Sequence, residues 1–70
     1  MIGKLVLFCK NVKNEQNQYV AIKAEGRILD EYIEEKLSGT IKISNKMFSV
    51  VEEGGVLNQC RAYQILQLLE

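Results

Sequence analysis

Between Gly26 and Gly39 the chain reads GRILDEYIEEKLSG, and this stretch restricts most how the remaining residues can be arranged. Ile28, Leu29, Tyr32, Ile33 and Leu37 recur at helical spacing, while Asp30, Glu31, Glu34 and Glu35 fill the opposite side. That is the pattern of an amphipathic helix with one dry and one wet face. Ser38-Gly39 supplies a stop, since glycine tolerates the left-handed conformation that closes a last helical turn. Lys36 falls inside the apolar arc, where its stem is expected to lie along the helix with the ammonium near the carboxyl end.

The flanking segments read as strands. From Gly3 to Val12 the consecutive apolar residues Leu5, Val6, Leu7, Phe8 and Cys9 form a run too short for a helix, as in a strand covered on both faces. The polar Lys13–Gln18 segment has the composition of a hairpin loop, and Tyr19–Ala24 continues as a second strand. After Gly39, Thr40–Ser44 alternates cleanly, with Ile41 and Ile43 on one side. Asn45-Lys46 then reads as a tight turn, Met47–Val51 as a strand pairing back, and Glu52–Gly55 as a break. In VLNQCRAYQILQLLE, composition favours helix, but the apolar residues spread round the whole helical circumference. A strand from Tyr63 to Leu69 fits better and resembles the first segment.

Two such apolar runs place the first and last strands side by side and parallel in the middle of a sheet, with the helix crossing one face. The expected fold is α+β: a β-grasp, ubiquitin-like, mixed sheet of four to five strands with one helix. An internal echo supports an alternative, because NQYVAIKAEGRILDE from Asn17 matches NKMFSVVEEGGVLNQ from Asn45 in register. That reading gives a tandem ββα repeat (ββαββα) with a helix at the end.

Seventy residues provide one core, so residues 1–70 form a single domain. Nine basic and nine acidic residues leave no net charge, which argues against a nucleic-acid partner, whose phosphates require clustered Lys and Arg. Lys4, Lys10 and Lys13 read as solvated strand-edge residues. The chain has no His and two Cys, so no metal site and no cofactor are expected. No apolar run reaches the roughly 18 residues of a membrane span, and no export signal precedes the domain, so a cytoplasmic protein without a membrane partner is expected.

Three segments resemble the small β-grasp sulfur-carrier proteins of thiamine and molybdopterin biosynthesis and, more distantly, ubiquitin. GRILDEYIEEKL resembles the family's helix, IKISNKMF its strand and turn, and LNQCRAYQILQLLE its closing segment and last strand. The resemblance covers roughly the last two thirds of the chain. It implies a protein adenylated and thiolated on a terminal Gly-Gly, whereas this chain closes on Leu69-Glu70 and has Cys60-Arg61 where the family commonly has Gly-Asp. Carrier chemistry is therefore expected only if the native chain continues to Gly-Gly.

Cys9 and Cys60 are the only soft nucleophiles and have no neighbouring base, so both are expected to be small buried hydrophobes and free thiols. The parallel topology places them on the order of 15 Å apart. No acid, base and nucleophile can be assembled, and the protein is expected not to be an enzyme. One helix covers one face of a sheet, which leaves Val6, Phe8, Phe48, Leu66 and Leu68 as candidates for an open apolar patch that binds a protein partner or a second copy. The leading expectation is thus a non-enzymatic interaction module. The alternatives are a sulfur-carrier-like protein with a missing or degenerate tail, and a small virus- or mobile-element-encoded inhibitor of a host protein. The acidic set Asp30, Glu31, Glu34 and Glu35 reads as a solvated face, with a basic partner as the other possibility.

Overall fold

A computed structural model describes residues 1–70. Five strands follow one another: β1 (Leu5–Lys13), β2 (Tyr19–Ser38), β3 (Ile41–Glu52), β4 (Leu57–Arg61) and β5 (Ile65–Leu68), with one 3-10 turn, Ala62–Gln64, before the last. They form one antiparallel sheet in the order β4-β3-β2-β1-β5. β4 and β5 occupy opposite edges of that sheet yet are separated in sequence only by the 3-10 turn. A flat sheet cannot satisfy that connection, so the sheet curls until its edges approach each other. The turn bridges the gap, and the Gln64 side-chain amide donates to the Cys9 carbonyl at 3.1 Å.

The 20 residues of β2 make this curl possible. Its first half pairs with β1 from Tyr19 to Arg27, its second half pairs with β3 from Gly26 to Ser38, and Gly26-Arg27 pairs on both sides. The register shifts between Ile28 and Asp30, leaving Leu29 as an extra residue, and such a bulge bends a strand and increases its twist. Inside the curl lie Val6, Phe8, Ile28, Phe48, Val50 and Cys60, with Ala24 and Ile65 packed against them. These positions alternate along β1 and β3 as a period-two pattern requires, and β4 adds Cys60.

Both the β-grasp and the tandem ββα arrangement are corrected by this architecture. The segment Gly26–Gly39 is extended β2 and its turn rather than a helix. Helix propensity differs by only tenths of a kcal/mol among Leu, Glu, Lys and Ile, and the β1 and β3 ladders on either side of Gly26-Arg27 override it. A sheet that folds over its own apolar face also leaves no face for a helix to cover. Of the presumed dry stripe only Ile28 is buried, while Leu29, Ile33 and Leu37 are exposed. The first and last strands are indeed neighbours, but they run antiparallel and β5 is an edge. Asn45-Lys46 is not a turn, because β3 runs without a break from Ile41 to Glu52.

The first hairpin, with its loop at Asn14–Gln18, and the break after Glu52 fall where their composition places them. The closing segment is a 3-10 turn and a four-residue strand.

Candidate interaction surface

β1 covers β2 only as far as Arg27, and β4 covers β3 only from Met47 onward. Between Tyr32 and Lys46 the two strands therefore have no neighbour but each other, and they project from the curled body as a two-stranded arm ending at Gly39-Thr40. Directly paired residues share a face. One face of the arm carries Glu31, Ile33, Glu35 and Leu37 beside Lys46, Ser44 and Lys42, and the other carries Tyr32, Glu34 and Lys36 beside Met47, Asn45, Ile43 and Ile41. Leu37 is 78% exposed and Ile41 65%, so both faces present aliphatic side chains to water.

The arm's charges are matched within it. Glu31 lies 3.5 Å from Lys46, Glu35 3.1 Å from Lys42, and Glu34 3.1 Å from Lys36. The four acids expected on a solvated helix face are thus divided between two faces of a ribbon, and three of them have a lysine partner. Lys36, expected to lie along an apolar helix face, is exposed beside Glu34. At the arm's root the Tyr32 hydroxyl and the Ser49 hydroxyl both donate to the Gln59 side-chain oxygen, at 2.7 and 2.8 Å, which ties the arm to β4.

The five residues expected on an open apolar patch separate into two groups. Val6, Phe8 and Phe48 lie inside the curl as core, whereas Leu66 and Leu68 on edge strand β5 are about half exposed. The curl explains the difference, since a sheet closing on itself covers the face that a flat sheet would leave open. The arm's Ile33, Leu37, Ile41 and Ile43 were not among those candidates, although the strict alternation of Ile41 and Ile43 with Lys42 and Ser44 was a signal for a half-covered strand.

Outside the arm, two carboxylates are engaged by basic side chains. An open cleft at Leu5, Gly26 and Val51 is flanked by Glu25, Arg27, Glu52 and Glu53. Arg27 makes a two-pronged contact to Glu70 at 2.8 and 3.0 Å and also donates to the Gly3 carbonyl. Those hydrogen bonds hold the Glu70 carboxyl below its ordinary range. Lys10, expected at a solvated strand edge, instead reaches Glu52 at 2.6 Å with both side chains about four-fifths covered. Hydrogen bonds from Lys10 and then from Asn58 lower the Glu52 carboxyl. Cys9 and Cys60 are free thiols; the parallel arrangement behind their expected separation is not the one that forms. Burial pushes the Cys60 thiol up, which suits a core residue and not a nucleophile. No helix is long and apolar enough to cross a membrane, which leaves membrane-crossing strands untouched.

No protein-family description, curated protein or solved structure matches this chain.

Proposed function

We propose that this chain is a non-enzymatic protein-interaction module whose binding element is the two-stranded arm Tyr32–Lys46. The observation that carries the reading is the mismatch between surface and size. A compact monomer of 8.0 kDa exposes about 4,450 Å², whereas this chain exposes 5119 Å², a surplus of about 670 Å². Its radius of gyration is 13.6 Å against about 11 Å for a compact domain of this length. The arm contributes four exposed aliphatic residues, Ile33 and Leu37 on one face and Ile41 and Ile43 on the other, and grouped apolar exposure marks partner surfaces. Two strands alone are marginally stable in water, so the arm gains from whatever it binds. The sulfur-carrier alternative is not carried forward, because one of the three segments behind its resemblance is strand where that family has a helix.

A photo-reactive benzophenone side chain placed at Leu37 or Ile41, and as a control at Glu15 in the β1–β2 loop, tests the reading in the cells that make the protein. Discrete protein adducts are expected from the two arm positions and not from Glu15. Irradiation that yields no adduct from either arm position, or equal adducts from all three, ends this reading.

A further inference from the structure

We propose that the arm docks a second copy of this chain, pairing the outer edge of β3 at Ile41–Lys46 antiparallel with the same segment of the second copy across a two-fold axis at Ile43. This rests on the interaction-module reading and names its partner. The turn fixes which main-chain groups are free. Ser38 and Ile41 are paired across two residues, and Gly39 has φ 63°, the pattern of a tight hairpin turn with glycine at its first central position. In such a turn the flanking residues exchange the ladder bonds, so alternation aims the main-chain N–H and C=O of Lys42, Ser44 and Lys46 away from β2. No strand lies there, because β4 begins its pairing at Met47. Docking a second β3 satisfies these groups and turns a marginal two-stranded arm into a four-stranded sheet.

Charge and occupancy select β3 over the other free edge. On the β2 side Glu31, Glu34 and Glu35 are matched by lysines of the arm but Asp30 is not, so that edge keeps an unmatched acid where β3 keeps no unmatched charge. The amino-terminal residues also lie along its root, where the Gly3 N–H donates to the Ile28 carbonyl and the Met1 ammonium sits 3.4 Å from Glu31. On β3 the two lysines are already matched by Glu35 and Glu31 of their own chain, and the whole chain has no net charge, so nothing long-range opposes approach.

Charge also selects the register. With Ile43 opposite Ile43, each Lys42 faces Ser44 and each Ile41 faces Asn45. With Ser44 opposite Ser44 instead, Lys42 faces Lys46, which like-charge repulsion disfavours.

The test is sedimentation equilibrium at high micromolar concentration together with cross-linking. The wild type is expected at twice the 8.0 kDa chain mass. Ser44→Pro removes an N–H aimed at the second copy but none aimed at β2, so it is expected at the single-chain mass with its sheet circular dichroism kept. In a Cys9→Ser background, Ile43→Cys is expected to form a linked dimer under mild diamide oxidation. Residues opposite each other in this kind of pair are about 4.5 Å apart at Cα, within the span of a disulfide. Asn45→Cys, facing Ile41, is expected not to link. If Ser44→Pro fails to fold, the two cysteine variants decide. A wild type at single-chain mass, a folded Ser44→Pro as dimeric as wild type, or linkage through Cys at 45 and not at 43 overturns the proposal. A monomeric wild type whose arm still gives heavier photo-adducts overturns the second copy while the interaction-module reading stands.

Discussion

At Gly26 a Cβ would sit 2.7 Å from both the Val50 side chain and the Val51 carbonyl oxygen. The second of these is backbone within a paired strand and cannot move aside cheaply. Gly26→Ala is therefore expected to cost about 3 kcal/mol, at the upper end of ordinary overpacking. Gly55 presents a different problem, since it has φ 90° with open space around it, and Gly55→Ala is expected to cost only about 1 kcal/mol of backbone strain. Urea midpoints compare the two directly, and equal losses would show that Val51 yields to the new methyl. The cysteines offer a second measurement at this scale. Cys60 is 1% exposed and its thiol is raised by burial, while Cys9 is partly exposed. Iodoacetamide is expected to label Cys9 first and to reach Cys60 only as the protein unfolds, as followed by intact mass and peptide mapping. Early labelling of Cys60 would place it outside a closed core.

The arm is the element where sequence and structure diverge most, and its surroundings explain why. A short unbroken apolar run is legible as a strand because a core covers it. Leu5–Cys9 and Met47–Val51 are such runs and hold the buried Val6, Phe8, Phe48 and Val50, so the hairpin from Leu5 to Ala24 and the run ending at Val51 were legible. Between Leu29 and Ser38 neither face is buried, and nothing forces Leu29, Ile33 and Leu37 onto one side. Their three- and four-residue spacing then coincides with helical periodicity, and Glu, Leu and Lys add helical propensity. The curl was not legible either, because it arises from β2 pairing on both sides at Gly26-Arg27, a long-range fact that local pattern does not encode. It is the curl that moves Val6, Phe8 and Phe48 from an imagined open face into the core. The same geometry makes the arm separable. Tyr32 and Met47 are a directly paired couple, so replacing Ile33–Lys46 by Asn-Gly leaves a two-residue hairpin. No core residue is removed, and thermal unfolding is expected to stay within about 1 kcal/mol of the parent, as for changes away from packed sites. A shortened chain without cooperative unfolding would show that the arm is part of the folding unit.

For the molecule as a whole, two carboxylates hold distant parts of the curled sheet together. Glu52 on β3 receives Lys10 from β1 and Asn58 from β4, and Glu70 receives Arg27 from β2. Both carboxyls titrate below their ordinary range in the folded chain. A carboxyl depressed by folding adds stability that is complete above its unfolded value, about 4.3 for glutamate, and disappears as pH falls through the lower folded value. The melting temperature is therefore expected to be nearly level from neutral pH to about pH 5 and to drop below about pH 4. Glu52→Gln cannot change charge across that interval and leaves Lys10 without its anion. The variant is expected to melt lower than the parent at neutral pH and to lose less on acidification. Glu52 joins β3 to both β1 and β4 through Lys10 and Asn58, so the change should appear in the cooperative melt and not as local fraying. Parallel curves for parent and Glu52→Gln, separated by a constant offset from pH 7 to pH 3, would show that Lys10 and Asn58 do not depress Glu52 and that acid acts through other groups.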